Sequence, residues 1–117
     1  MLREAGPATK MRTLRPECLT YIGSDPALPD DTALFLIRDA VRRRGSLIYG
    51  MLHDGKGGHC ALGAFWADNP NHALNAALIE EVAAVNDSVP PTATPQQRWK
   101  KVNEWLRFKI ASLARRR

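Results

Sequence analysis

Apolar residues recur at the spacing of an α-helix in three stretches of the chain, and a fourth, short stretch is apolar almost throughout. Spacings of three and four residues place side chains on one face of a helix, whereas a short continuous apolar run predicts a helix that is buried around most of its circumference. Three of the predicted helices are expected to form a bundle around the short one. The predicted helices cover about 31–45, 60–67, 70–85 and 94–113.

The predicted core consists of the apolar residues that repeat on the inner faces of these helices. Their side chains are aliphatic or aromatic, and their burial is the main favourable contribution to folding. The predicted core residues are Leu34, Ile37, Val41, Leu62, Phe65, Leu74, Leu78, Val82, Val102, Leu106 and Ile110.

Capping residues mark the ends of two predicted helices. Asp30 or Asp31 can accept hydrogen bonds from the first backbone N–H groups of the first helix, and Gly45 can end it in the left-handed conformation. The last helix has the stronger start signal, because Thr94 and Gln97 are spaced as a capping box and a proline follows the threonine.

The segments outside the helices carry little regular pattern. Residues 1–30 contain four prolines and no sustained helical period, which predicts a partly ordered N-terminal arm. Residues 47–52 allow at most a short strand, since Gly50 interrupts the apolar run. We therefore predict a mostly α fold, a compact bundle of about four helices that forms a single domain over 31–117.

Composition places the chain among ordinary globular domains. It has 117 residues, of which 44% are hydrophobic and 25% charged, the size and balance of one domain. No apolar run approaches the roughly 20 residues that span a bilayer, and the first ten residues lack the apolar core of a signal peptide. With only two cysteines there is no disulfide framework, so we expect a cytoplasmic protein without a membrane partner.

The formal charge of +5 arises from 17 basic and 12 acidic side chains. The basic residues cluster near 42–44, 98–109 and 115–117, and such clusters attract nucleic acid or acidic protein surfaces, although solvated helix faces have the same composition. Phe108 lies on the polar side of the last helix, seven residues from a cation in each direction. The candidate contact residues are Arg42, Arg43, Arg44, Lys101, Phe108 and Arg115.

The stretch GKGGHCALGAFW, residues 55–66, has the glycines of a phosphate-binding loop but not its order. In a P-loop the lysine follows the glycines and precedes a hydroxyl residue, whereas Lys56 precedes Gly57 and a histidine and a cysteine follow. No strand–helix–strand unit surrounds the glycines, as a dinucleotide-binding fingerprint requires. We therefore interpret this stretch as a tight turn that leads into the buried helix, and we expect no nucleotide cofactor.

Cys60 follows this turn at the predicted start of the second helix, where a helix dipole can stabilise a thiolate. Paired with His59 or His53 it would be the nucleophile of a cysteine-dependent hydrolase or transferase. The alternative is a small buried side chain, the commoner state of a cysteine outside disulfides. A zinc site built from Cys60, His53, His59 and His72 is not expected, because these spacings match no standard zinc motif.

The segment Cys60-Ala61-Leu62-Gly63-Ala64, followed some twenty residues later by Asn86-Asp87 and a proline-threonine connector, resembles a family of uncharacterised small bacterial and phage proteins. These proteins carry Cys-x-Leu-Gly-Ala and then Trp-Asn-Asp, and the resemblance covers about residues 32–112. Val85 stands where the family has its tryptophan, and the family's arginine after the Asn-Asp pair has no clear match. The resemblance implies a fold and an association with phages or mobile elements.

The residues of this motif have direct structural interpretations. Gly63 permits a close approach of helices, Leu62 fills core space, and Asn86 and Asp87 can satisfy the ends of helices or cap the following loop. We therefore interpret the motif as structural rather than catalytic.

These features favour a small non-enzymatic binding or accessory protein, of the kind that a phage or mobile element encodes as an inhibitor. Its basic surface would contact a host or phage protein or nucleic acid. The cysteine-dependent enzyme is the second hypothesis, and a homo-oligomeric structural protein is the third.

Overall fold

The computed structural model describes residues 27–115, and in this part of the chain it contains four helices and no strand. The predicted N-terminal arm covers residues 1–30, and its residues 1–26 lie outside the described part of the chain. The two β-bridges are isolated pairs, Ala27 with Ala73 and His53 with His59. The mostly α prediction is therefore confirmed for the described part. The helices are α1 (Asp30–Arg42), α2 (Ala61–Asp68), α3 (Ala76–Ser88) and α4 (Pro95–Arg115).

Helix α1 begins without a side-chain cap. Pro29 occupies the N-cap position, and the carboxylate of Asp31 accepts a hydrogen bond from the next backbone N–H at 2.8 Å. Asp31 therefore accepts one of the first backbone N–H groups, as predicted, but it lies with Asp30 in the first turn and not at the N-cap position. The negative charge of both residues complements the helix dipole there. The helix ends at Arg42, earlier than predicted, and Gly45 has the expected left-handed backbone with φ of 74°.

Helix α2 is buried along most of its length, as its apolar sequence predicts, and Cys60 is its N-cap residue. Gly63 packs directly against the preceding loop. A Cβ atom at Gly63 would lie 1.7 Å from the carbonyl oxygen of Leu52, a distance that no side chain tolerates. The predicted close approach at Gly63 is confirmed, and the neighbour is loop backbone rather than a second helix.

Helix α3 starts at Ala76, six residues later than predicted. Backbone groups of the preceding segment have partners elsewhere: Trp66 Nε1 donates to the carbonyl of His72 at 2.9 Å, and the N–H of Leu28 donates to the carbonyl of Ala73 at 3.0 Å. These bonds hold the segment in a non-helical path across α2. The helical spacing of apolar residues does not reveal that hydrogen bonds to distant residues keep this segment out of the helix. Buried residues in an extended segment can continue the same spacing.

Helix α4 starts with the predicted capping box. The N–H of Thr94 donates to Gln97 Oε1 at 2.9 Å, and the N–H of Gln97 donates to Thr94 Oγ1 at 3.1 Å. Further along, Trp99 Nε1 donates to the carbonyl of Val41 at 2.7 Å. This bond joins α4 to the last turn of α1, where backbone carbonyls lack partners within their own helix.

The core lies among the four helices. Helices α1 and α3 each pack against both α2 and α4. Every predicted core residue is buried except Ile110, which is partly buried and packs against the core. The core also contains apolar residues that the periodicity did not indicate: Leu47 and Leu52 of the loop before α2, with Trp66, Ile79 and several alanines of the helices.

A buried amide joins three parts of the fold. Asn86, at 1% exposure, accepts a hydrogen bond from the N–H of Ala61 at 3.0 Å and donates through Nδ2 to the carbonyl of Ile48 at 3.0 Å. Nδ2 also donates to Asp87 Oδ1 at 2.9 Å, and the same oxygen accepts from the N–H of Gly50 at 3.1 Å. The predicted structural role of the Asn-Asp pair is confirmed, and its partners are the start of α2 and loop 46–60.

A buried arginine completes this network. Arg98 is 2% exposed, and its guanidinium donates to the carbonyls of Asn86, Val89 and Pro90. The guanidinium therefore provides hydrogen-bond donors for carbonyl groups at the C-terminal end of α3, where the helix dipole also favours a cation. The pKa of Arg98 is lowered overall, because the effect of burial exceeds the opposing effect of the nearby carboxylate of Asp87. Arg98 belongs to the predicted basic cluster of 98–109, but it is a structural residue and not a surface cation.

We predict that Asn86→Ala lowers the free energy of unfolding by about 2–4 kcal/mol, because it leaves the N–H of Ala61 and the carbonyl of Ile48 buried without partners. Urea denaturation followed by circular dichroism measures this change. Asn71→Ala is the control, since Asn71 is exposed and its replacement should change the free energy by at most about 0.5 kcal/mol. Equal effects of the two substitutions would contradict the structural role of Asn86.

Candidate functional site

The glycine-rich turn closes on its own aspartate. Asp54 Oδ1 accepts hydrogen bonds from the N–H groups of Lys56 at 2.8 Å and Gly58 at 2.9 Å, and these bonds lower the pKa of Asp54. Gly55 and Gly57 have φ of 78° and 91°, as the tight path requires. Two backbone N–H groups of the turn are therefore bound by its own carboxylate, which confirms the interpretation as a turn.

The thiol of Cys60 has the surroundings of a core residue. Its side chain is 1% exposed, and Sγ accepts a hydrogen bond from the N–H of Gly63 at 3.4 Å, which caps the first turn of α2. A reactive cysteine needs access and a stabilised thiolate, whereas this sulfur is enclosed by aliphatic and aromatic side chains. These surroundings favour the buried, structural interpretation of Cys60 over the nucleophile.

The histidines do not form a metal centre with this cysteine. His53 and His59 face each other across their β-bridge, with ring centroids 6.3 Å apart, and both line a small pocket of about 120 Å³ beside Trp66. His72 instead binds Trp66 through its backbone carbonyl. Within residues 27–115, no group of three histidine, cysteine or acidic side chains could hold a metal ion.

We predict that Cys60 reacts with a thiol reagent such as a maleimide far more slowly in the folded protein than in urea. The sulfur is buried, so labelling requires opening of the fold. The Cys18→Ser variant removes the other cysteine and makes the measurement specific for Cys60. Labelling in native buffer at the rate of a small-molecule thiol would contradict the buried state and would favour the cysteine-dependent enzyme.

Two of the candidate arginines connect helices. Arg43 Nη2 binds Asp68 Oδ2 at 2.7 Å, and Arg44 Nη2 binds Asp68 Oδ1 at 2.6 Å. The carboxylate raises the pKa of Arg43, and Arg44 also reaches the carbonyl of Ala64 at 3.4 Å. The pair thus ties the segment after α1 to the end of α2, and the single carboxylate of Asp68 offsets one of the two positive charges.

Three of the four remaining candidates lie on the solvent side of α4. Lys101, Phe108 and Arg115 are all exposed and follow one another at intervals of seven residues, about 10 Å along a helix axis. Phe108 is 62% exposed, more than any other large apolar residue in the described part of the chain. We call this surface the outer face of α4; its residues are Lys100, Lys101, Glu104, Arg107, Phe108 and Arg115.

The outer face is strongly cationic, since four of its residues are basic and one, Glu104, is acidic. Lys109 belongs instead to the flank of α4, where Nζ binds Glu81 Oε2 at 3.2 Å and lies 5.7 Å from the ring centroid of Trp105. Positive charge that is not matched by nearby carboxylates is therefore concentrated along one side of one helix. Such a surface attracts anionic partners over a distance of about 8–10 Å at physiological salt.

Arg42 extends this surface across the junction with α1. It faces α4 over a groove of about 440 Å³, next to the bond between Trp99 and Val41. The structure therefore separates three neighbouring arginines: Arg42 lies with the outer face of α4, and Arg43 and Arg44 bind α2. The groove is lined by Arg42, Trp99, Lys100, Asn103, Glu104 and Arg107.

Comparisons with known proteins identify no relative: no protein-family model, no curated protein and no solved structure matches the chain. Among residues 27–115, none of the helices combines the length and the apolar character that crossing a membrane requires. Function is therefore inferred from the side chains of the outer face and the groove.

Proposed function

We propose that this protein is a non-enzymatic accessory protein that binds nucleic acid through the outer face of α4. The observation that carries the proposal is the distribution of charge after folding. Arg43, Arg44 and Arg98 are held by internal partners, whereas the exposed cations of α4 line one side of a helix. A row of such cations can replace the counterions along a phosphate backbone.

The composition of this surface favours nucleic acid over a protein partner. The centres of protein interfaces are rich in apolar anchors and poor in lysine, whereas the outer face of α4 offers Phe108 as its single exposed aromatic residue, between Lys101 and Arg115. In single-stranded nucleic-acid binding, cationic side chains contact the phosphates and an aromatic side chain stacks on a base. An acidic host or phage protein is the competing partner, and the experiment below distinguishes the two.

The resemblance to small bacterial and phage proteins supports the accessory role, since a phage or mobile element has many uses for a compact protein that binds nucleic acid or blocks a host factor. Membership in that family is part of the proposal. The burial of Cys60 supports a non-enzymatic protein over the cysteine-dependent hydrolase or transferase.

The test is a fluorescence anisotropy titration of a labelled 20-nucleotide single strand over a series of salt concentrations. We expect binding to weaken steeply as salt increases, and Lys101→Gln to reduce the slope of log K against log salt by about 0.7, the value for one phosphate contact on a single strand. Phe108→Ala should weaken binding about fivefold or more through the loss of base stacking.

Lys56→Gln is the matched control, because it removes the same charge from an exposed residue of the turn at 54–58. It should leave the slope unchanged. Two results would overturn the proposal: equal slopes for Lys101→Gln and Lys56→Gln, or a wild-type protein that binds no strand at low salt. Capture of an acidic protein that Lys101→Gln abolishes, without nucleic-acid binding, would establish the competing partner.

A further inference from the structure

The groove between α1 and α4 shares Lys100, Glu104 and Arg107 with the outer face, and it adds Arg42, Trp99 and Asn103 to them. Its volume, about 440 Å³, lies within the range of small-ligand sites. Besides the cations Arg42, Lys100 and Arg107, its lining includes an indole, an amide and a carboxylate. A site for phosphate alone would gain nothing from a carboxylate, whereas a ligand that carries hydrogen-bond donors close to its phosphates could use both the cations and Glu104.

Trp99 gives the groove a rigid aromatic wall. Its indole is held by the bond from Nε1 to the carbonyl of Val41 at 2.7 Å and packs partly against the core, so the ring that lines the groove loses little freedom when a ligand binds. Aromatic side chains of this kind stack on nucleobases. Asn103, one turn further along, is fixed by a bond from Nδ2 to the carbonyl of Trp99 at 2.9 Å, which leaves its amide oxygen as an acceptor.

Glu104 is the carboxylate of the groove, and its chemistry selects among the bases. Guanine presents two adjacent donors, N1–H and the N2 amino group, on its Watson–Crick edge, and a carboxylate with two oxygens can accept both. Adenine and cytosine place a donor next to an acceptor on that edge, and thymine and uracil have one donor between two acceptors. In a duplex the complementary strand covers this edge, so only an unpaired base can use it.

We propose that the groove between α1 and α4 binds an unpaired guanine of a single-stranded nucleic acid. The base stacks on Trp99 and donates hydrogen bonds to Glu104, and the flanking phosphates contact Arg42, Lys100 and Arg107. This inference rests on the proposed function, because the outer face of α4 supplies most of the phosphate contacts. It adds to that function a preference for single strands and for guanine.

The experiment compares two labelled 12-nucleotide strands. The thymidine strand contains only thymidine, and the guanosine strand is the same sequence with one central guanosine. A single guanosine per strand is too few for the strand to fold into a quadruplex. We expect the wild-type protein to bind the guanosine strand at least about fivefold more tightly, the lower end of the discrimination from a bidentate base contact. Annealing of a complementary strand should remove the preference.

Glu104→Gln separates base recognition from electrostatics, because the two effects have opposite signs. The substitution removes a negative charge, so binding of the thymidine strand should stay equal or become tighter, while the preference for guanosine should disappear. Glu80→Gln on α3 is the matched control and should keep the preference. Circular dichroism confirms that both variants are folded.

Equal binding of the two strands by the wild-type protein would overturn the inference. So would a guanosine preference that persists in Glu104→Gln. In either case, salt-dependent binding of the thymidine strand would leave the proposed function of the outer face intact. Absence of binding to both strands at low salt would instead overturn the proposed function and the inference together.

Discussion

The side-chain amide of Asn86 is the interaction on which the rest of the structure depends. It pairs with the N–H of Ala61 at the start of α2 and with the carbonyl of Ile48 in loop 46–60, two backbone groups that the fold removes from water. Each such group costs about 1–3 kcal/mol when it is left unpaired. A single buried amide therefore determines how α3, α2 and the loop between α1 and α2 fit together.

The arrangement of α2 follows from this constraint. Asn86 holds loop 46–60 at Ile48, and the N–H of Cys60 donates to the carbonyl of Leu52 at 3.3 Å. That carbonyl therefore lies against α2 at a distance that admits only glycine at position 63, and the thiol of Cys60 is buried beside it. Arg98 closes the other end of the network by binding the last carbonyls of α3. Residues of the Cys-x-Leu-Gly-Ala and Asn-Asp segments are thus occupied in building the fold, whereas the contact surface that we propose lies on the solvent side of α4.

The apolar pattern and the capping box predicted α1, α2, α4 and just over half of the core, because these features depend on local spacing and on burial. The start of α3 could not be predicted this way, since the segment before it forms hydrogen bonds with Leu28 and Trp66, which are distant in sequence. For the candidate site, the exposure of Phe108 could be predicted from the polar side of the helical wheel. The separation of Arg42 from Arg43 and Arg44 could not, because it depends on where the end of α2 places Asp68.

The most direct test of the account is an NMR titration of the isotope-labelled protein with a 12-nucleotide thymidine strand, in which the backbone amide signals report the contact surface. If the outer face of α4 is the working surface and the Asn86 network is structural, the largest shifts will occur at residues 100–115 and at Arg42, while Ala61 and loop 46–60 remain unchanged. Shifts that are largest around Cys60 and loop 46–60, with α4 unaffected, would contradict it.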